Sequence, residues 1–149
     1  MAIITAERQI EVRASLSTCW EIVSDLEKTP EWQESMTSAK VLETDAEGRA
    51  RLVEVTSDAK VRSVTSRLEF SYEPEHSMTW EQVKGDLKWM TGAWFLESLA
   101  ADLTRAVYTL KADTGRMLGL LVKGPVEEKV KEVLTKDATD GLKSRAESS

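Results

Sequence analysis

The sequence predicts an α+β fold in which an antiparallel sheet curls around one long helix. Three observations predict it. Apolar side chains from Leu118 to Leu142 recur at steps of three and four, the spacing of a single helical face. Most of the chain before them alternates in steps of two, the spacing of strands. The connections between those strands are too short for crossovers, so neighbours in sequence pair antiparallel.

Taken in order, the first element is a strand over Ile3–Arg13, with Ile4, Ile10 and Val12 among polar residues. Ser15 is placed to cap a helix. Leu16, Cys19, Trp20 and Val23 follow at helical spacing, which gives a short helix over Leu16–Ser24. Pro30 favours the first turn of a second short helix, Pro30–Glu34. The period then changes. Strands Lys40–Thr44 and Arg49–Thr56 flank a turn at Asp45–Gly48, and a further turn falls at Ser57–Lys60. Val61–Tyr72 alternates clearly, with Val64, Ser66, Leu68, Phe70 and Tyr72 opposite Arg67, Glu69 and Ser71. After a turn around His76, Met78, Trp80 and Gln82 continue that face. Gly85-Asp86 closes a hairpin with Lys88–Ser98, where Met90, Gly92, Trp94 and Leu96 oppose Trp89, Ala93 and Phe95. Ala100–Leu103 turns the chain into a last strand, Arg105–Ala112, with Tyr108 and Leu110 on one face.

The remaining stretch, Met117–Arg145, is the long helix. At roughly 28 residues it would extend about 42 Å, too long to bury against another short helix. Its stripe comprises Leu118, Leu121, Val122, Val126, Val130, Val133, Leu134, Ala138 and Leu142. Pro125 has no N–H for the Leu121 carbonyl and follows Gly124, so a kink is expected there.

Composition narrows the function. The chain has 149 residues, 41% hydrophobic and 31% charged, enough for one domain with its own core. A net charge of −6 speaks against nucleic acid and anionic membrane as main partners. No apolar run reaches the ~20 residues of a membrane span, and the N-terminus lacks the pattern of a signal peptide. Cys19 is the single cysteine and His76 the single histidine, so neither an internal disulfide nor a metal or haem site is expected. These features favour the cytoplasm. No phosphate loop or dinucleotide fingerprint occurs, and no cofactor is expected.

Two stretches carry a family resemblance across nearly the whole chain. The opening IEVRASLSTCWEIVSDLEKTPEWQES, through Ile10, Val12, Ala14, Trp20, Asp25, Pro30 and Trp32, resembles the first strand and helices of the START-like (SRPBCC) superfamily. The pair GAWFLES…TRAVYTL, through Gly92, Trp94, Leu96, Thr104, Val107 and Tyr108, resembles its last two strands. That superfamily includes birch-pollen-type allergens, lipid-transfer domains and polyketide cyclases/dehydrases, and the sequence looks closest to the last group. The resemblance implies a helix-grip fold: a seven-stranded curved sheet around the C-terminal helix, two short helices between strands 1 and 2, and an elongated apolar cavity inside.

Strand parity and the resemblance together nominate the cavity wall. Phe70, Tyr72, Trp80, Trp94 and Tyr108 are the large aromatics of the sheet face, and Trp32 stands in the second short helix. Leu68 shares that face, and Met36 and Met90 supply soft, adaptable side chains. Ser66 and Gln82 are polar candidates of the same parity. From the helix, Leu118, Leu121, Val122 and Pro125 are expected to face a ligand, with Val130–Leu142 as the anchored half.

Three functions compete. The first is binding or transport of a hydrophobic small molecule, lipid or polyketide-like. The second is a polyketide aromatase/cyclase or dehydratase that folds its substrate in the cavity, with Tyr72 or Tyr108 as the acid. In the third, the outer sheet face, through Trp89, Ala93 and Phe95, contacts another protein or a second copy of the chain.

Overall fold

A computed structural model describes residues 3–58, 63–115 and 125–148. The chain runs β1 (Ile3–Val12), α1 (Leu16–Ser24), a 3-10 helix (Leu26–Glu31), β2 (Met36–Thr44), β3 (Ala50–Asp58), β4 (Ser63–Glu73), β5 (Ser77–Gly85), β6 (Trp89–Ala100), β7 (Leu103–Asp113) and α2 (Pro125–Glu147). All seven strands form one antiparallel sheet in the order β1-β7-β6-β5-β4-β3-β2. This is the helix-grip arrangement. The two short helices carry the chain from one edge of the sheet to the other. A meander from β2 then returns it until β7 pairs with β1, Ile3 lying opposite Asp113.

α1 forms where its cap and apolar spacing place it. The Ser15 hydroxyl accepts the Thr18 N–H at 3.1 Å, and Cys19 and Val23 turn inward. The next element differs from expectation. Instead of a helix starting at Pro30, a 3-10 helix begins at Leu26 and contains Pro30. Leu26 and Thr29 are buried, and these inward residues fix the segment before the proline is reached. β2 also starts four residues before the expected Lys40, at Met36, with irregular pairing at both ends that hides its alternation. Between β2 and β3 the Asp45 carboxylate accepts the Glu47 and Arg49 N–H groups, and Gly48, at φ 81°, completes the turn.

Two rows of side chains cross the inner face and position the site. One runs Phe70, Trp80, Gly92, Leu110, Ala6; the next runs Tyr72, Met78, Trp94, Tyr108, Arg8. Phe70, Trp80, Met78, Trp94 and Tyr108 are all buried. Outward residues such as Arg67 pair with carboxylates at the surface, here Glu54 at 3.2 Å.

α2 packs along β1, β7 and α1. Its inward line is Val130, Thr135, Ala138, Thr139, Leu142 and Ala146. The two threonines satisfy their hydroxyls within the helix, on the carbonyls of Lys131 and Thr135. Val126, expected on the stripe, is 40% exposed. Polar ties hold the helix to β1: Lys143 donates to the Glu11 carbonyl, and Glu147 accepts the Arg13 N–H at 2.9 Å. The expected helical turns at 117–124, and the kink before Pro125, lie outside the described residues. Among the described residues, no helix is long and apolar enough to cross a membrane.

Candidate ligand-binding cavity

A partly enclosed cavity of about 110 Å³ lies between the inner sheet face and α2. Its walls are mainly apolar: Ile4, Val55, Val64, Leu68, Trp80, Leu87, Met90, Leu110 and Ala112 from the strands and hairpin, Val130 and Leu134 from α2. Five polar side chains complete it, namely Gln33, Ser57, Ser66, Tyr108 and Thr114. Among the described residues, three larger depressions, of about 740, 650 and 600 Å³, are more open to solvent, with charged side chains among their linings. Enclosure and an apolar lining single out the smaller space as a ligand site.

Gln33 reaches the cavity because the 3-10 helix ends in a tight turn. Its N–H and that of Trp32 both bond the Thr29 carbonyl, and the Gln33 carbonyl accepts the Met36 N–H at 2.9 Å. α2 clamps this segment from above. Asp137 accepts the Ser35 N–H, and Gly141 lets the helix approach the Trp32 main chain directly. Gln33, 5% exposed, lines the cavity together with Tyr108 and acts on its phenol.

Tyr108 is held well above its ordinary pKa, pushed up to about 12. Burial is the main cause; the Gln33 hydrogen bond pulls the other way, and the Asp137 carboxylate adds to the rise. The hydroxyl therefore keeps its proton at physiological pH and can donate it to an acceptor. Ser66 is held differently. Its hydroxyl donates to the Gln82 side-chain oxygen at 2.7 Å, and the Gln82 amide donates to the Leu87 carbonyl at 2.8 Å. Gln82 stands behind Ser66 and braces the hairpin.

A family model described as polyketide cyclase / dehydrase and lipid transport matches residues 3–147. The chain belongs to that family. Solved structures show the same fold. A START superfamily protein from Mycobacterium smegmatis superposes with a TM-score of 0.85 at 21% identity, over 97% of each chain. The Zhui aromatase/cyclase from Streptomyces sp. R1128 gives 0.82 at 17%, covering 97% of this chain and 94% of that one. A protein from Thermus thermophilus gives 0.83 at 18%, over 97% of each. Comparison with curated proteins finds no match.

Within this polyketide cyclase-type chain, the nominated residues separate into groups. Ser66, Leu68, Trp80, Met90 and Tyr108 line the cavity. Phe70 and Trp94 lie beside it in an array of rings, Trp32–Trp94–Tyr108–Trp80–Phe70–Tyr72–Trp20, with successive centroids 4.9 to 6.5 Å apart. Trp32 borders the open groove between the 3-10 helix and α2, and its buried Nε1 has no hydrogen-bond partner among the described residues. Met36 packs half-buried against the core from β2. Tyr72 is turned away: its hydroxyl donates to the Ala50 carbonyl, and the Arg49 guanidinium sits 5.1 Å over its ring. Burial, and then the Asp45 carboxylate, push the Tyr72 pKa up to about 12, against the opposing Arg49 charge. Pro125 is exposed at the first described turn of α2, and Leu118, Leu121 and Val122 lie outside the described residues.

Two features escape the sequence reading. Val130 and Leu134, assigned to the anchored half of the helix, line the cavity. Gln33 carries no periodicity, and only the fold of the turn reveals that it points inward. The outer-face trio does not form one exposed patch, since Phe95 is 46% exposed, Trp89 is half-buried and Ala93 is buried. Among the described residues, no three His, Cys, Asp or Glu side chains converge as metal ligands would.

Proposed function

We propose that the protein binds a hydrophobic small molecule in the sheet–helix cavity, acting as one ligand-binding domain over residues 1–149. One observation carries this reading: a partly enclosed, mainly apolar space with a protonated phenol, Tyr108, at its wall. Such a site favours a ligand that is mostly apolar and bears one hydrogen-bond acceptor, a ketone being the simplest. The volume of about 110 Å³ exceeds the ~10–15 Å³ that a single water needs and is comparable with the ~150 Å³ of a cavity that takes up benzene. It is well below the ~300–1,000 Å³ of sites for larger ligands. The described cavity therefore suits one ring, or one ring of a longer molecule. The charge of −6 and the unpaired, buried Cys19 support a cytoplasmic site of action.

Calorimetric titration with acetophenone tests the reading, alongside native mass spectrometry for a co-purified ligand. Saturable binding that weakens in Tyr108→Phe supports it. The absence of both a co-purified ligand and acetophenone binding would refute it.

A second reading, cyclisation or dehydration of a polyketide-like chain, draws on the same residue. A protonated Tyr108 in an apolar wall can polarise a ketone and act as a general acid. The likeness to one aromatase/cyclase points the same way. Turnover of a poly-β-ketone mimic that disappears in Tyr108→Phe would favour it over simple binding. Turnover that survives the substitution would remove Tyr108 as the acid.

A further inference from the structure

We infer, resting on the ligand-binding reading, that the Trp80–Gly92 pair sets the height of the cavity floor and so confines the ligand to one-ring width. The two residues face each other across β5 and β6. A Cβ built at position 92 would lie 2.5 Å from both Cζ2 and Nε1 of Trp80, far inside van der Waals contact. Only glycine lets the indole lie flat on the sheet at this point. Trp80 is 7% exposed and lines the cavity. Phe70 and Tyr108 flank it, with ring centroids 5.7 and 5.8 Å away, and the β6 backbone lies beneath. The cavity is the open side, so any residue larger than glycine at 92 drives the indole into it. Conversely, the indole occupies the space into which a wider ligand would extend.

The pair therefore makes two opposite predictions from two single substitutions. Gly92→Ala lifts the indole and narrows the cavity. Trp80→Leu lowers the floor and widens it. Because the methyl acts only through the indole, its effect vanishes once the indole is gone.

The test uses the purified full chain and a series of aryl methyl ketones with one polar group and growing width: acetophenone, 2-acetylnaphthalene and 2-acetylanthracene. Calorimetry gives each affinity, and circular dichroism with the thermal midpoint checks the fold of every variant. The expected result is that the parent protein prefers acetophenone and Gly92→Ala weakens it about tenfold or more. Trp80→Leu should move the preference to 2-acetylnaphthalene by a similar factor. Adding Gly92→Ala to Trp80→Leu should then change little. If the parent binds the wider ketones as well as acetophenone, or if Trp80→Leu leaves the order unchanged, the inference falls while ligand binding stands. It also falls if Gly92→Ala weakens acetophenone equally with and without the indole. No binding of any ketone by the parent overturns this inference, and the binding reading falls with it if no ligand co-purifies either. Should Gly92→Ala fail to fold, the ring-size preference of Trp80→Leu decides alone.

Discussion

The main-chain carbonyl of Trp32 occupies the place where a side chain at Gly141 would begin. A Cβ there would overlap the carbonyl oxygen, with the carbonyl carbon 3.1 Å and the indole Cε3 3.3 Å away. This is backbone meeting helix, so neither partner can swing aside. Gly141→Ala should therefore destabilise the protein, although alanine is by itself the better helix former by about 1 kcal/mol. The expected net loss is roughly 1–3 kcal/mol, the usual cost of overpacking, measured by urea unfolding. An unchanged or raised stability would show that α2 does not bear on the 3-10 segment in this way.

Tyr108 ties stability to alkaline pH. Its folded pKa stands near 12 against an ordinary 10.0. Between those values the unfolded chain has lost the phenolic proton while the folded one keeps it. Its contribution is therefore complete below about pH 10 and is lost as pH rises towards 12. The size of that loss is on the order of 2–3 kcal/mol from the shift alone. Unfolding measured from pH 9 to 11.5 should show a steeper fall for the parent than for Tyr108→Phe. Equal slopes would mean that the phenol is not buried.

Tyr72→Phe should behave otherwise. The lost hydroxyl leaves the Ala50 carbonyl without that donor, which costs about 1 kcal/mol. Acetophenone affinity should stay within about twofold, because the hydroxyl is spent on the backbone of β3 and not on the cavity. A large drop in affinity with full stability would bring Tyr72 back to the site.

Ser15→Ala removes the acceptor that holds the first turn of α1. A loss of about 1 kcal/mol is expected in thermal or denaturant unfolding. No measurable change would mean that water or the Thr18 hydroxyl, 3.0 Å from Ser15 Oγ, takes over the cap.

The fold was legible in the sequence because alternation is strong where one face is buried and the other charged. In β4, Leu68 and Phe70 point in while Arg67 and Glu69 point out, so the strand and its face are both readable. The same logic fails at Met36–Ala39, where pairing with β3 is irregular and the inward side is only partly covered. It fails again at Gln33. A polar residue in a short turn has no period, and its direction depends on α2, which lies about a hundred residues later in the chain. Gly141 was invisible for a related reason: a glycine within a helical pattern acquires meaning only when the partner backbone is known. Local pattern thus gives the sheet face and its aromatics, whereas the polar end of the cavity is made by contacts between distant segments.

The pairing of β1 with β7 has a consequence in time. β1 is synthesised before the other six strands, yet the strand that bonds it runs from Leu103 to Asp113. Closing a loop of that length carries an entropic cost that grows only slowly with length, but the partner must exist before it can be met. Until then an unpaired strand is presented to other chains, the usual template for misassociation. Glu7, Arg8 and Glu11 interrupt that strand with charge. Charges on a strand disfavour its pairing with other chains, and here they lie on the strand that must wait longest for its partner.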